Sequence, residues 1–146
     1  MNTKAFIIVI LTISCLIFVS CTKNVVNDPL QFQIELLSGT GRVQNTQRIW
    51  QLDSTIIDDK KQDLSIYQKQ YKRTFTYNGL YNDTDNNTGK WEITTLNKLK
   101  LTISYYFNNK VDIILYDIIS IDLSQLKLTY KNSNGQTITH VFKLAN

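Results

Sequence analysis

What most narrows the fold of this chain is an alternation of apolar and polar side chains that recurs from residue 47 to residue 144. In "KLKLTISYY", Leu99, Leu101, Ile103 and Tyr105 stand against Lys98, Lys100, Thr102 and Ser104. In "LKLTYK", Leu126, Leu128 and Tyr130 stand against Lys127, Thr129 and Lys131. Successive side chains of a β-strand point to opposite faces, so a period of two predicts strands with one buried and one solvated face. The same reading of "RIWQLDSTII" sets Trp50, Leu52 and Ile56 on one side, with Gln51, Asp53 and Thr55 on the other. "VDIILYDIISIDL" is apolar at both parities, which predicts a strand either buried on both faces or bent midway.

Turn residues punctuate these runs. Asn78-Gly79 is a hairpin signal, and Asn97, Asn108-Asn109 and "NSNG" (132–135) mark further turns. The runs predict strands at 47–57, 64–70, 72–78, 79–83, 89–95, 98–107, 110–121, 126–131 and 137–144, with two expected to merge into a set of about eight. The single proline, Pro29, precedes them all and leaves their N–H groups free to pair. Strands without intervening helices form an antiparallel meander, and closing it into an up-and-down barrel removes its exposed edges. The expected fold is therefore all-β, a barrel of about eight strands. "DPLQFQIELLSG" adds a short helix at 29–37, with Asp28 as cap, Pro29 in the first turn and Gly39 at the end. It is expected to lie across one end of the barrel.

The chain opens differently. Lys4 is followed by an apolar run from Ala5 to Val19, broken only by Thr12 and Ser14. That is the length of a signal-peptide core and shorter than the ~20 residues of a spanning helix. "LIFVSC" (16–21) resembles the lipobox of bacterial lipoproteins. The resemblance implies a signal peptide over 1–20 and acylation of Cys21, which anchors the protein to a membrane through lipid chains. Residues 21–28 then form a tether and 29–146 the barrel domain. Cys15 lies in the segment that would be removed, so the acylated chain would hold no free thiol for disulfide, metal or nucleophilic chemistry. Surface export of such lipoproteins goes with an acidic cluster just after the cysteine; "CTKNVVND" carries an acid only at Asp28, so the resemblance implies the periplasmic side of the outer membrane.

"RIWQLDS", "FTYNGLYNDTDNNTGKWEI", "LKLTI" and the closing "VFKL" together resemble the lipocalin-like lipoproteins of Gram-negative bacteria. The resemblance covers residues 30–146 and implies a small hydrophobic ligand held in the barrel. The aromatic residues Trp50, Phe75, Tyr77, Trp91, Tyr105, Tyr130 and Phe142 all fall on apolar strand faces, as do Ile103 and His140. These nine are the candidate cavity residues. Two readings of them stand: a filled barrel core, or a calyx open at one end. With a filled barrel, the alternative function is that of an envelope accessory protein acting through protein contacts, with Tyr67, Tyr71, Tyr81 and Tyr106 as candidate surface aromatics.

Other chemistries have little to build on. The formal charge of +4 is scattered, without the clustered basic face that nucleic acid requires. His140 is the single histidine, and Asp53, Glu92 and Asp112 are expected opposite the apolar faces, so no enzyme activity and no cofactor are expected. "DTDNNTG" (83–89) sets Asp83, Asp85 and Asn87 at the first, third and fifth places of a calcium loop. Thr88 stands where that loop has glycine, and Thr94 where it has its closing glutamate, so the stretch reads better as a hairpin turn. "DST" (53–55) resembles a signal for O-glycosylation of exported bacterial proteins.

Overall fold

The computed structural model describes residues 28–41 and 46–145. The expected signal peptide, the Cys21 lipidation site and most of the tether lie outside the described residues. The barrel is present and closed. Its eight strands are β1 (Gln47–Ile57), β3 (Lys72–Thr76), β4 (Leu80–Asp83), β5 (Thr88–Thr95), β6 (Lys98–Ser104), β7 (Val111–Ile121), β8 (Gln125–Lys131) and β9 (Thr137–Leu144). Each pairs antiparallel with the next, and β1 pairs with β9 from Trp50↔Leu144 to Ile57↔Ile138, which closes the ring.

Two elements depart from the expected pattern. A three-residue strand, β2 (Lys60–Gln62), folds back on the end of β1 through a turn in which Asp58 and Asp59 both have positive φ. The segment expected as a strand at 64–70 instead holds a short helix, Ile66–Gln70 (α2; the N-terminal helix below is α1). Its cause is a capping box: the Ser65 hydroxyl accepts from the Gln68 N–H, and the Gln68 side chain accepts from the Ser65 N–H.

Two bulges reset the alternation. In β1 the register shifts between Leu52 and Ser54, so Asp53 is the extra residue. Beyond it the parity flips: Thr55 pairs with His140 and Ile57 with Ile138 on the inner face, and Ile56 turns outward, contrary to simple alternation. In β7 the shift falls between Ile118 and Ser120. The "bent" reading of this strand therefore holds, and its outer face stays exposed, with Val111, Ile113, Leu115 and Ile119 all more than half accessible.

The core fills the lower half of the barrel. Trp50, Phe75, Leu99, Leu101, Leu126, Leu128 and Phe142 are at most 1% exposed. Phe75 packs edge-on against both Tyr81 and Trp91, at ring separations of 5.5 and 6.0 Å. Helix α1 (Pro29–Ser38) stoppers this end. Asp28 caps it by accepting from the Leu30 N–H, and Gly39, at φ 94°, ends it. Its last turn is tied to the barrel where Trp50 Nε1 donates to the Leu37 carbonyl at 2.8 Å and Arg48 donates to that of Leu36 at 2.9 Å. Gln33 is matched to the β5–β6 turn, donating to Asn97 Oδ1 and accepting from the Asn97 N–H. One end of the barrel is thus sealed.

Candidate functional site

The opposite end is hollow. A cavity of about 350 Å³ opens there, walled by inward side chains of seven of the eight barrel strands. Leu52 and Thr55 come from β1, Arg73 from β3, Asp83 from β4, Ile103 from β6, Ile114 and Tyr116 from β7, Tyr130 from β8 and His140 from β9. Its rim is formed by Tyr67 and Gln68 of α2, by Tyr71, by Asp85 and Asn87 of the β4–β5 turn, and by Tyr105. Tyr67 donates its hydroxyl to the Asp85 carboxylate, so α2 is strapped to the turn across the mouth. Such a volume sits near the lower end of the ~300–1,000 Å³ of small-molecule pockets.

Arg73 dominates the chemistry. It occupies an inward position of β3, two residues before Phe75, and is only 6% exposed. Its guanidinium lies 5.1, 5.4 and 5.6 Å from the ring centres of Phe142, Tyr116 and Tyr71. These are cation–π contacts, which partly replace lost hydration. Its Nε donates to Tyr71 Oη at 3.2 Å, and Nη1 has no hydrogen-bond partner among the described residues. Among the described residues the ion pairs join Lys98 to Asp117, Lys100 to Glu92, Lys110 to Asp112 and Lys143 to Asp53; none includes Arg73. Burial opposes its charge, the surrounding tyrosines favour it, and a guanidinium is basic enough to stay protonated.

The carboxylate beside it is committed elsewhere. Asp83 is the cross-strand neighbour of Arg73. Its oxygens accept from Tyr71 Oη, Tyr81 Oη, Asn87 Nδ2 and the backbone N–H groups of Asp85 and Asn87, at 2.8 to 3.1 Å. Asn87 Oδ1 in turn accepts from the Tyr106 N–H. The "DTDNNTG" stretch is therefore the β4–β5 turn, with its side-chain oxygens engaged by donors of the protein. No group of three or more metal-ligating acids, histidines or cysteines occurs among the described residues.

The far wall carries His140, Tyr130 and Tyr116. Their rings pack in series, Tyr116 and Tyr130 in a T-shaped contact at 5.1 Å and Tyr130 tilted against His140 at 5.8 Å. Burial, and secondarily the Arg73 charge, push the His140 imidazole down to a pKa of about 3, so it is neutral at physiological pH. Burial likewise raises the Tyr130 hydroxyl above its ordinary range and keeps it neutral. His140 Nδ1 and Tyr116 Oη are both buried without a partner.

Of the nine candidate cavity residues, Ile103, Tyr105, Tyr130 and His140 line the cavity. Trp50, Phe75, Trp91 and Phe142 pack into the core beneath it. Tyr77 lies outside the barrel beside α1, where its hydroxyl accepts from Gln31 Nε2 at 2.7 Å. The filled barrel and the calyx are thus both realised, one in each half. Asp112 is an inward residue of β7 opposite Ile103, against expectation, and pairs with Lys110 near the rim. Tyr81, expected as a surface aromatic, is buried on Asp83. Ser54 is buried and Thr55 faces the cavity, so "DST" lies within a paired strand and not on an open loop. Alternation had passed over Arg73 and Tyr116. The available signal was a charged residue at the apolar parity of "KRTFT", where burial of a cation has to serve some purpose.

Fold and site together define a closed antiparallel barrel with a plugged lower end and, at the other, a cavity with polar groups in its wall. Comparison of the chain with family models, with curated proteins and with solved structures gives no match.

Proposed function

We propose that this chain is a small-molecule-binding protein of the lipocalin-like kind, held at the outer membrane by acylation of Cys21 with its barrel facing the periplasm. One observation carries the binding role. The cavity of about 350 Å³ gathers aliphatic and aromatic walls around a few convergent polar groups, the combination typical of ligand sites. Its volume favours a compact, largely apolar molecule over a whole phospholipid. With His140 neutral and Asp83 saturated by donors, the site has no pairing of base and nucleophile, which favours binding over catalysis.

The test is native mass spectrometry of the protein after incubation with a lipid extract of the producing cells. A mass adduct retained by the folded chain and lost on unfolding is expected. A clean unliganded peak from folded protein would turn attention to the second reading, an accessory protein with a surface partner. The exposed Val111, Ile113 and Leu115 row beside Tyr106 and Phe107 is the feature that favours it.

A further inference from the structure

Arg73 is a buried cation in no direct ion pair among the described residues: the Asp83 carboxylate is linked to it only through Tyr71 Oη, and one of its N–H-bearing nitrogens faces no acceptor. Burying an unpaired charge is costly, so a fold that keeps one in a cavity wall holds an unmet demand for an anion. Two further unpartnered atoms, Tyr116 Oη and His140 Nδ1, belong to residues packed close by. The Tyr116 ring is 5.4 Å from the guanidinium, and the Phe142 ring touches both Arg73, at 5.1 Å, and His140, at 5.9 Å.

Resting on the binding role proposed above, we infer that the ligand is a compact monocarboxylate, its head drawn to the Arg73 guanidinium, with the buried Tyr116 Oη and His140 Nδ1 as the groups that would turn to meet it. The planar guanidinium suits a carboxylate, and a phenol hydroxyl and an imidazole Nδ1–H are both able to donate to one. The charges favour one negative charge over two. With the Asp83 carboxylate already in the lining beside a single guanidinium, a monoanion adds one negative charge to a neutral pair and a dianionic phosphate adds two, while an amine would meet Arg73. The ligand's body would lie against Leu52, Ile103, Ile114 and the tyrosine rings.

The experiment is isothermal titration of the full chain in lipid nanodiscs, with empty nanodiscs as blank. The probes are 3-phenylpropionate, 3-phenyl-1-propanol and 3-phenylpropylamine, then the same three head groups on a cyclohexyl body. The carboxylates should bind about 10- to 100-fold tighter than the alcohols, as hydrogen bonds to a charged group allow, and the amines weakest. Arg73→Met should erase that preference, bringing carboxylate and alcohol affinities together. Alcohols or amines that bind as tightly as carboxylates would overturn the anion inference and leave the binding role standing. Six probes that all fail to bind folded protein would remove the binding role, and the inference with it. Should Arg73→Met not fold, Tyr116→Phe decides: selective loss of carboxylate affinity supports the assignment, and equal loss across head groups refutes it.

Discussion

His140 shows how a single residue's surroundings set its chemistry. It is enclosed by Arg73 from β3, Tyr116 from β7, Tyr130 from β8, Thr55 from β1 and Phe142 on its own strand. Arg73 is the charged group facing it, and both that charge and burial disfavour a second cation. The imidazole therefore titrates at about 3 in the folded protein, against ~6.5 when unfolded. Above ~6.5 neither state binds the proton, and its contribution to stability is constant. Between that value and about 3 the unfolded chain takes up a proton that the folded chain refuses, so stability falls as pH falls. The loss approaches ~1.4 kcal/mol per pH unit. Melting curves recorded from pH 7 to pH 4 should show a steeper decline for the wild type than for His140→Gln. Parallel curves would mean that His140 is protonated in the folded state.

At the scale of elements, the barrel depends on local departures from regularity. Asp53 is one. Its side chain is exposed and pairs with Lys143 at 2.6 Å, so Asp53→Ala should cost at most ~1 kcal/mol, as surface ion pairs do. Inserting one residue between Ser54 and Thr55 would instead turn Thr55 and Ile57 outward and should cost several-fold more in the urea midpoint. Equal effects from the two changes would show that β1 tolerates either parity. Gly89 is another. A Cβ there would meet the Thr102 carbonyl oxygen at 1.9 Å, a backbone atom of the neighbouring strand that has no rotamer to move. Gly89→Ala should therefore force β5 from β6 and destabilise by ~1–3 kcal/mol, the range of overpacking, readable as a lowered denaturant midpoint. Helix α2 shows that alternation can be overruled locally, because the Ser65–Gln68 capping box satisfies N–H groups that a strand would have offered to a neighbour.

The whole molecule separates stability from function along the barrel axis. The lower half, from Trp50 to Phe142 and the α1 stopper, is close-packed and apolar. The upper half keeps a buried cation, unpartnered hydroxyl and imidazole atoms and a mouth strapped by Tyr67 and Asp85. Such local violations of good packing are expected where a protein binds something. The outer face of β7 is the other exception, an aliphatic row open to solvent. Replacing Ile113 and Leu115 by Thr should leave the melting temperature nearly unchanged, since exposed positions move stability by ~0.5 kcal/mol or less. If the row is a partner surface, the same change should lower self-association or pull-down of envelope proteins. A large loss of stability would instead mean that the row is buried in the working assembly.

The sequence alone determined the all-β class, the helix over 29–37, most strand limits and the turns at Asn78-Gly79, Asn97, Asn109 and Gly135. These follow from short-range physics: side-chain period, capping and the residues that accept positive φ. Tertiary structure decided the rest. The bulge at Asp53 is a matter of register between β1 and β9, strands whose paired residues are some ninety positions apart, so no local pattern announces it. Alternation placed Trp50, Phe75, Trp91 and Phe142 inside without telling core from cavity, because both present the same apolar face. Depth along the axis settles that difference, and depth depends on where α1 plugs the barrel and how far each strand is staggered. Arg73 was legible as a charge at an inward position. That its charge has no partner depends on Asp83 being occupied by Tyr71, Tyr81 and the β4–β5 turn, which only the closed barrel brings together.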